Sequence, residues 1–166
     1  MLDLLPDLFD RYSEQLTILP PLFSQYGGKS IFFGEVFTVK CFEDNSKVKQ
    51  VLNEPGLNRV LVVDGGGSKR RALLGDLIAE SAVKNGWQGV IIYGFVRDVG
   101  TLKTMKLGVQ ALGAVPIKTE RKNQGELNIP INIESNHIKP GMWVYADDNG
   151  IAFSASELSL SFLEQD

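Results

Sequence analysis

The 166-residue chain has one cysteine and one histidine. With Cys41 alone, no intrachain disulfide can form, which fits a reducing compartment and a cytoplasmic protein. His137 stands between Asn136 and Ile138 with no second histidine and no cysteine cluster, so neither a histidine-based zinc site nor a Ser-His-Asp triad is expected. Positive charge is not in excess: 17 Lys and Arg stand against 20 Asp and Glu, a net charge of −3. Nothing therefore pulls the whole molecule toward nucleic acid or an anionic membrane, and any link to RNA has to pass through a protein partner or a local patch. No apolar run approaches the ~20 residues of a membrane span. Leu2–Leu5 is interrupted by Asp3, ended by Pro6-Asp7 and preceded by no basic segment, so it does not read as a signal peptide. Internal repeats, low-complexity tracts and linkers are absent as well, and the length suits one domain over residues 1–166.

The remaining pattern is many short strands with fewer helices, as in sheet layers flanked by helix. Asp7–Leu16 predicts an amphipathic helix with Leu8, Phe9, Tyr12 and Leu16 on one face, stopped by Pro20-Pro21. Phe33–Phe42 alternates as a half-buried strand, and a helix capped by Glu43–Ser46 follows through Leu52, with Val48, Val51 and Leu52 inward. Arg59–Val63 is a short apolar strand suited to a sheet centre. Thr101–Met105 reads as a helical turn, Val109–Val115 and Leu127–Ile133 as strands, and Lys118–Gly125 as a polar surface loop. Met142–Ala146 and Ile151–Ser154 form a hairpin around Asp147-Asp148-Asn149-Gly150, and Ser156–Leu163 reads as a closing helix. Trp87 and Trp143 suit either the core or an interface.

Gly75–Asp98 (GDLIAESAVKNGWQGVIIYGFVRD) is the stretch with chemical content. Gly75 fits an N-cap, Asp76 falls in the first turn, and Leu77, Ile78 and Ala82 lie on the apolar face together with Leu73 and Leu74. Asn85-Gly86 closes the helix. Gly89–Tyr93 is a buried strand, and Arg97-Asp98 follow three residues past Gly94. A helix start offers unpaired amides to an anion, and the carboxyl end of an adjacent parallel strand is where such sheets place ligands. The amides of Gly75, Asp76, Leu77 and Ile78 with the Arg97 guanidinium would hold a small carboxylate. Asp98 would hold Mg²⁺ or Mn²⁺, a hard cation that makes do with one or two carboxylates when water and substrate supply the rest. The same Arg-Asp pair also reads as a solvated surface pair, and Asp76 as a residue that merely complements the helix dipole.

Two other clusters carry less. Asp64–Ser68 (DGGGS) matches neither G-x-G-x-x-G nor a Walker loop, and reads as a sharp turn with close backbone approach. Asp147–Gly150 lacks the alternating oxygens and terminal Glu of a calcium loop and reads as a turn.

Pro21-Leu22-Phe23-Ser24 with Gly27-Gly28, Thr38–Asn45 (TVKCFEDN), Val60–Ser68 (VLVVDGGGS), Arg71–Asp76 (RALLGD) and Tyr145–Ile151 (YADDNGI) together resemble the regulator of ribonuclease activity A family, whose relatives include class II 4-hydroxy-4-methyl-2-oxoglutarate aldolases. The resemblance covers almost the whole chain. It implies an α/β fold of the swivelling β/β/α type, three layers of stacked sheets flanked by helices, and a ring-shaped homotrimer with sites at subunit boundaries. The aldolase branch carries an Asp, twenty residues, Arg-Asp, two residues and an acid. Asp76, Arg97 and Asp98 match, and the final acid is replaced by Thr101. Carried over, Asp76 orients water and is catalytic with Arg97, Gly75–Ile78 and Arg97 bind substrate, and Asp98 binds the metal. The resemblance thus implies a lyase for short 2-oxo acids, either an aldolase or an oxaloacetate decarboxylase, working through a pyruvate enolate. It also implies an alternative, a regulator that binds and inhibits ribonuclease E without chemistry. The missing acid at Thr101 leaves room for a third reading, a metabolite-binding trimer without turnover.

Overall fold

Val60–Asp64 and Gly89–Val96 lie side by side and parallel at the centre of the sheet, and the valines and isoleucines of both runs are fully buried. Strands covered on both faces read as such continuous apolar runs. The structure, a computed structural model, describes residues 1–164.

In chain order the elements are α1 (Leu5–Tyr12), β1 (Thr17–Ile18), β2 (Ser24–Gln25), β3 (Phe32–Lys40), α2 (Ser46–Leu52), β4 (Val60–Asp64), β5 (Ala72–Leu74) and α3 (Asp76–Lys84). They continue with β6 (Gly89–Val96), α4 (Val99–Leu102), β7 (Gly108–Ala114), β8 (Glu126–Leu127), β9 (Ile131–Ile133), β10 (Asn136–Ile138), β11 (Trp143–Asp147) and β12 (Gly150–Ser154). The main sheet runs β1-β12-β11-β3-β4-β6-β7-β2, with β5 added on β6 and β8 on β3, while β9 and β10 form a separate hairpin. β3, β4, β6 and β7 are mutually parallel because each connection between them carries a helix, α2, α3 or α4. β11 and β12 are antiparallel because a tight turn joins them.

Alternation along the central strands sends side chains into two cores. Val39, Leu61, Val63 and Ile92 meet Val48, Val51 and Leu52 of α2 and Ile78, Ala79 and Ala82 of α3. Val36, Val60, Val62 and Ile91 meet Val144, Ala146, Ile151 and Phe153 from the other end of the curled sheet, and Ile131, Ile133 and Ile138 from the small hairpin. Helices, sheet and sheet therefore stack as three layers, the β/β/α arrangement expected. α1 packs Leu5 and Leu8 on the outside, against Tyr145 and Ala152. Among the described residues no helix is long and apolar enough to cross a membrane.

Several elements differ from the sequence reading. α1 begins two residues earlier, with Pro6 in its first turn, and passes into a 3-10 turn at Ser13–Gln15. β3 alternates as expected over Phe32–Val36, where Phe33 and Glu35 are exposed, but is covered on both faces at Thr38 and Val39, Thr38 donating its hydroxyl to the Ile129 carbonyl and Val39 joining the helix-side core. Leu127–Ile133 is not one strand: Asn128 adopts φ 53° and Pro130 follows it, so β8 and β9 are separate. β5 and β10 were too short to stand out, and the closing helix is only a 3-10 turn at Ser161–Glu164. Trp87 is buried and donates its Nε1–H to the Glu54 carbonyl at 3.0 Å, a core role.

Candidate functional site

Gly75 is the N-cap of α3 in an extended conformation, and β5 leads straight into it. β6 runs three residues further than the apolar pattern indicated, to Val96, so Arg97 adjoins the strand end, and its amide donates to the Leu74 carbonyl at 2.9 Å. Asp98 caps α4 in the left-handed region (φ 58°), which turns its side chain back toward α3. Its Oδ2 accepts a hydrogen bond from the Asp76 amide at 2.9 Å and lies 3.9 Å from Arg97 Nε. The close approach explains the glycine: a Cβ at position 75 would stand 2.7 Å from Asp98 Oδ2 and 3.3 Å from Arg97 Nε.

The helix start and the strand end thus meet. The amide cradle, however, is narrower than the spacing implied. The Asp76 amide is engaged by Asp98, and the Leu77 amide by Asp76 Oδ1 at 2.8 Å. The Ile78 amide has no acceptor among the described residues. Leu77 does not join the apolar face at all; it is 75% exposed at the edge of the site, because Ile78, Ala79 and Ala82 set the buried stripe of α3 and Leu77 falls on the other side of the helix.

Gly75, Asp76, Leu77, Ile78 and Arg97 border a cleft of about 470 Å³. The facing wall is Lys118–Arg121, with Asn45 and Ala72 completing the cleft. Asp98 is not part of the lining; its side chain, 35% exposed, sits at the margin behind Gly75 and Asp76. The lining holds three cations, Arg97, Lys118 and Arg121, against two carboxylates, Asp76 and Glu120. Such a surplus attracts a small anion.

The facing wall is what sequence reasoning missed, because its composition (KTERKNQG) reads as a solvated loop. Position in the chain gives no hint that it borders one cleft with the start of α3. Asp44 and Asn45, both buried, hold it there. Asn45 Oδ1 accepts from Thr119 Oγ1 at 2.8 Å and from Arg121 Nε at 3.1 Å. Asp44 Oδ2 accepts from the Lys122 and Gln124 amides at 2.8 and 3.1 Å, while its Oδ1 accepts from the Ser46 amide and hydroxyl. Burial works to raise the Asp44 carboxyl, but these hydrogen bonds outweigh it and hold it down at about 2. The one clue in the sequence was the pair of buriable oxygen-bearing side chains, Asp44-Asn45, placed before α2.

Among the described residues no group of three or more His, Cys, Asp or Glu is placed to cage a metal. What is present fits a weakly held hard cation. Asp98 Oδ1 has no hydrogen-bond partner among the described residues, while its Oδ2 takes the Asp76 amide. Water and substrate oxygens would have to complete the shell. His137, exposed on β10, pairs with Asn132 and takes no part. Gly65–Gly67 form the sharp turn read from the sequence, with Gly65 against the Tyr93 carbonyl.

A family model described as "RraA-like: Aldolase/RraA" matches residues 4–153. A relative from Shewanella oneidensis, "Putative 4-hydroxy-4-methyl-2-oxoglutarate aldolase", is 63% identical over 98% of this chain and 99% of its own length. The solved structure described as the RNA-processing inhibitor RraA from Thermus thermophilis is 39% identical and superposes with a TM-score of 0.91, covering 96% of this chain and 97% of that one. One described as an S-adenosylmethionine: 2-dimethylmenaquinone methyltransferase from Geobacillus kaustophilus, also 39% identical, gives a TM-score of 0.88 over 94% and 97%. These names describe three different activities on one fold.

Proposed function

We propose a reaction for this chain from a premise that stands by itself: the chain belongs to the RraA-like family (Aldolase/RraA). The reaction is cleavage of a C–C bond in a short 2-oxo acid, by retro-aldol reaction on 4-hydroxy-4-methyl-2-oxoglutarate or by decarboxylation of oxaloacetate. The relative that is 63% identical is named for the first of these substrates. The observation that carries the reading is the meeting of Arg97, Asp98 and the start of α3 beside one cleft.

Arg97 grips the carboxylate of the 2-oxo acid with paired hydrogen bonds, and the free Ile78 amide adds a donor from the helix start. As the C–C bond breaks, negative charge gathers on the enolate, and the fixed Arg97 charge stabilises it. Asp76 positions a water that protonates the enolate carbon. A divalent cation, Mg²⁺ or Mn²⁺, held by Asp98 would supply further positive charge beside the 2-oxo group. With Thr101 in place of an acid, water positioning falls to Asp76.

A coupled assay for pyruvate with oxaloacetate, with and without chelator, tests the reading. Turnover should require the added cation and should collapse in Arg97→Ala and Asp98→Ala. Unchanged turnover in either variant sinks the assignment.

The finer setting is part of the same proposal: a cytoplasmic homotrimer. Light scattering reads the assembly directly.

One observation favours a second reading, namely the RNA-processing inhibitor that is 39% identical. On it the acidic chain binds basic segments of ribonuclease E and masks them without chemistry. Inhibition of RNA cleavage that survives Asp98→Ala would support it.

A further inference from the structure

Retro-aldol cleavage needs one proton transfer that decarboxylation does not. The hydroxyl on C4 must lose its proton as the C3–C4 bond opens, whereas oxaloacetate has no such hydroxyl to deprotonate. A base must therefore stand across the substrate from the enolate-forming end. Thr101 cannot serve, since it is not an acid and does not border the cleft. Asp76 lies at the Arg97 end, and its Oδ1 is committed to the Leu77 amide. Among the described residues, the other acidic residue bordering the cleft is Glu120, on the Lys118–Arg121 segment.

Glu120 sits on a segment without regular secondary structure that is nevertheless fixed on both sides. Thr119 before it and Arg121 after it both donate to the buried Asn45 Oδ1. Lys122 and Gln124 are anchored in turn by the buried Asp44. Ala72 of β5 secures the near end, its amide donating to the Ile117 carbonyl at 2.7 Å. The Glu120 carboxylate itself enters none of the ion pairs among the described residues. Glu120 is exposed and borders both this cleft and the adjoining hollow of Phe42, Glu43 and Arg71, so a connector held this firmly carries a carboxylate that can turn toward a ligand in the cleft.

Resting on the reaction proposed above, we infer that Glu120 is the general base of C–C cleavage in this chain. The C4 hydroxyl gives its proton to Glu120, and the O–H pair becomes the new C4=O bond of one pyruvate. The C3–C4 pair moves into a C2–C3 double bond, and the former C2=O pair rests on oxygen as the enolate of a second pyruvate. The water at Asp76 returns a proton to C3, and Glu120 passes its own to solvent, so two pyruvates leave and no oxidant or reductant is needed.

The test compares E120Q and E120D with the parent protein, each with Mg²⁺ or Mn²⁺, on 4-hydroxy-4-methyl-2-oxoglutarate and on oxaloacetate. E120Q should cut aldol cleavage about 100-fold or more, the usual worth of a positioned base, and cut decarboxylation far less. The ratio of the two rates should fall accordingly, and E120D should recover part of the cleavage. Retained decarboxylation reports that the variant is folded. Undiminished cleavage in E120Q, or an equal loss on both substrates, overturns the role of Glu120 and leaves the lyase reading standing. A parent protein that turns over neither substrate overturns both.

Discussion

The Asp98 carboxylate accepts the backbone amide of Asp76 at 2.9 Å, across twenty-two residues of sequence. One bond thus joins the end of β6 to the start of α3. It gives Asp98 two duties: it satisfies an orphan donor of the helix, and it leaves its second oxygen free at the margin of the cleft.

Those duties separate by substitution. Asp98→Ala should lower stability by about 1 kcal/mol, the typical worth of a lost helix cap. That corresponds to a fall of roughly 2–4 °C in Tm for a chain of this size. Asp98→Asn keeps an oxygen acceptor and tolerates the left-handed backbone, so its melting point should move less. Both variants should lose cation-dependent pyruvate release. Calorimetry and the coupled assay, run on the same samples, check the split.

Gly75→Ala probes the same contact from the other side. The added methyl would press on Asp98 Oδ2 and Arg97 Nε, which are side-chain atoms able to swing away. The fold should survive while both groups leave their places. The expected outcome is a large fall in turnover with a modest change in Tm.

The sequence displayed this floor of the site well and its wall badly. Gly75, Asp76, Arg97 and Asp98 stood out because a helix start and a strand end have chemical signatures in residue type and spacing. Leu77 was misplaced because its apolar character was weighed above its spacing: the buried stripe is Ile78, Ala79 and Ala82, and Leu77 falls outside it. Thr119, Glu120 and Arg121 were invisible because a loop's position is decided by tertiary hydrogen bonds, here to Asp44 and Asn45. The parallel centre was legible from the unbroken apolar runs in β4 and β6. The division of Leu127–Ile133 was not, since it turns on the backbone of Asn128.

Asp44 gives the wall a pH dependence. Its folded carboxyl titrates at about 2, below the ordinary value of 3.8. A group depressed on folding contributes stability that is fully present above its unfolded value and is lost as pH falls through the folded one. The stability gap between the parent protein and Asp44→Asn should therefore be constant at pH 5 and above and narrow from pH 4 toward 2. Urea unfolding at stepped pH measures it; a gap that widens on acidification contradicts the account.

Cys41 should be chemically quiet. Burial first, and then the Asp44 and Asp64 charges, push its thiol up to about 12, so almost no thiolate forms at neutral pH. Native protein should take up iodoacetamide very slowly and become fully labelled once unfolded, as intact mass spectrometry would read.

Asp44 and Asn45 reach across 74 to 80 residues to hold the wall. During synthesis, therefore, α3 and β6 leave the ribosome before the segment that encloses them has been made, in the vectorial order by which chains mature. A nascent chain displays Arg97 and Asp98 on an open surface, and its pocket closes only when the late segment docks onto residues translated long before. Premature termination ahead of that segment would also remove β8–β12 and their share of the second core, so placement of the chemical groups and their enclosure would be lost together.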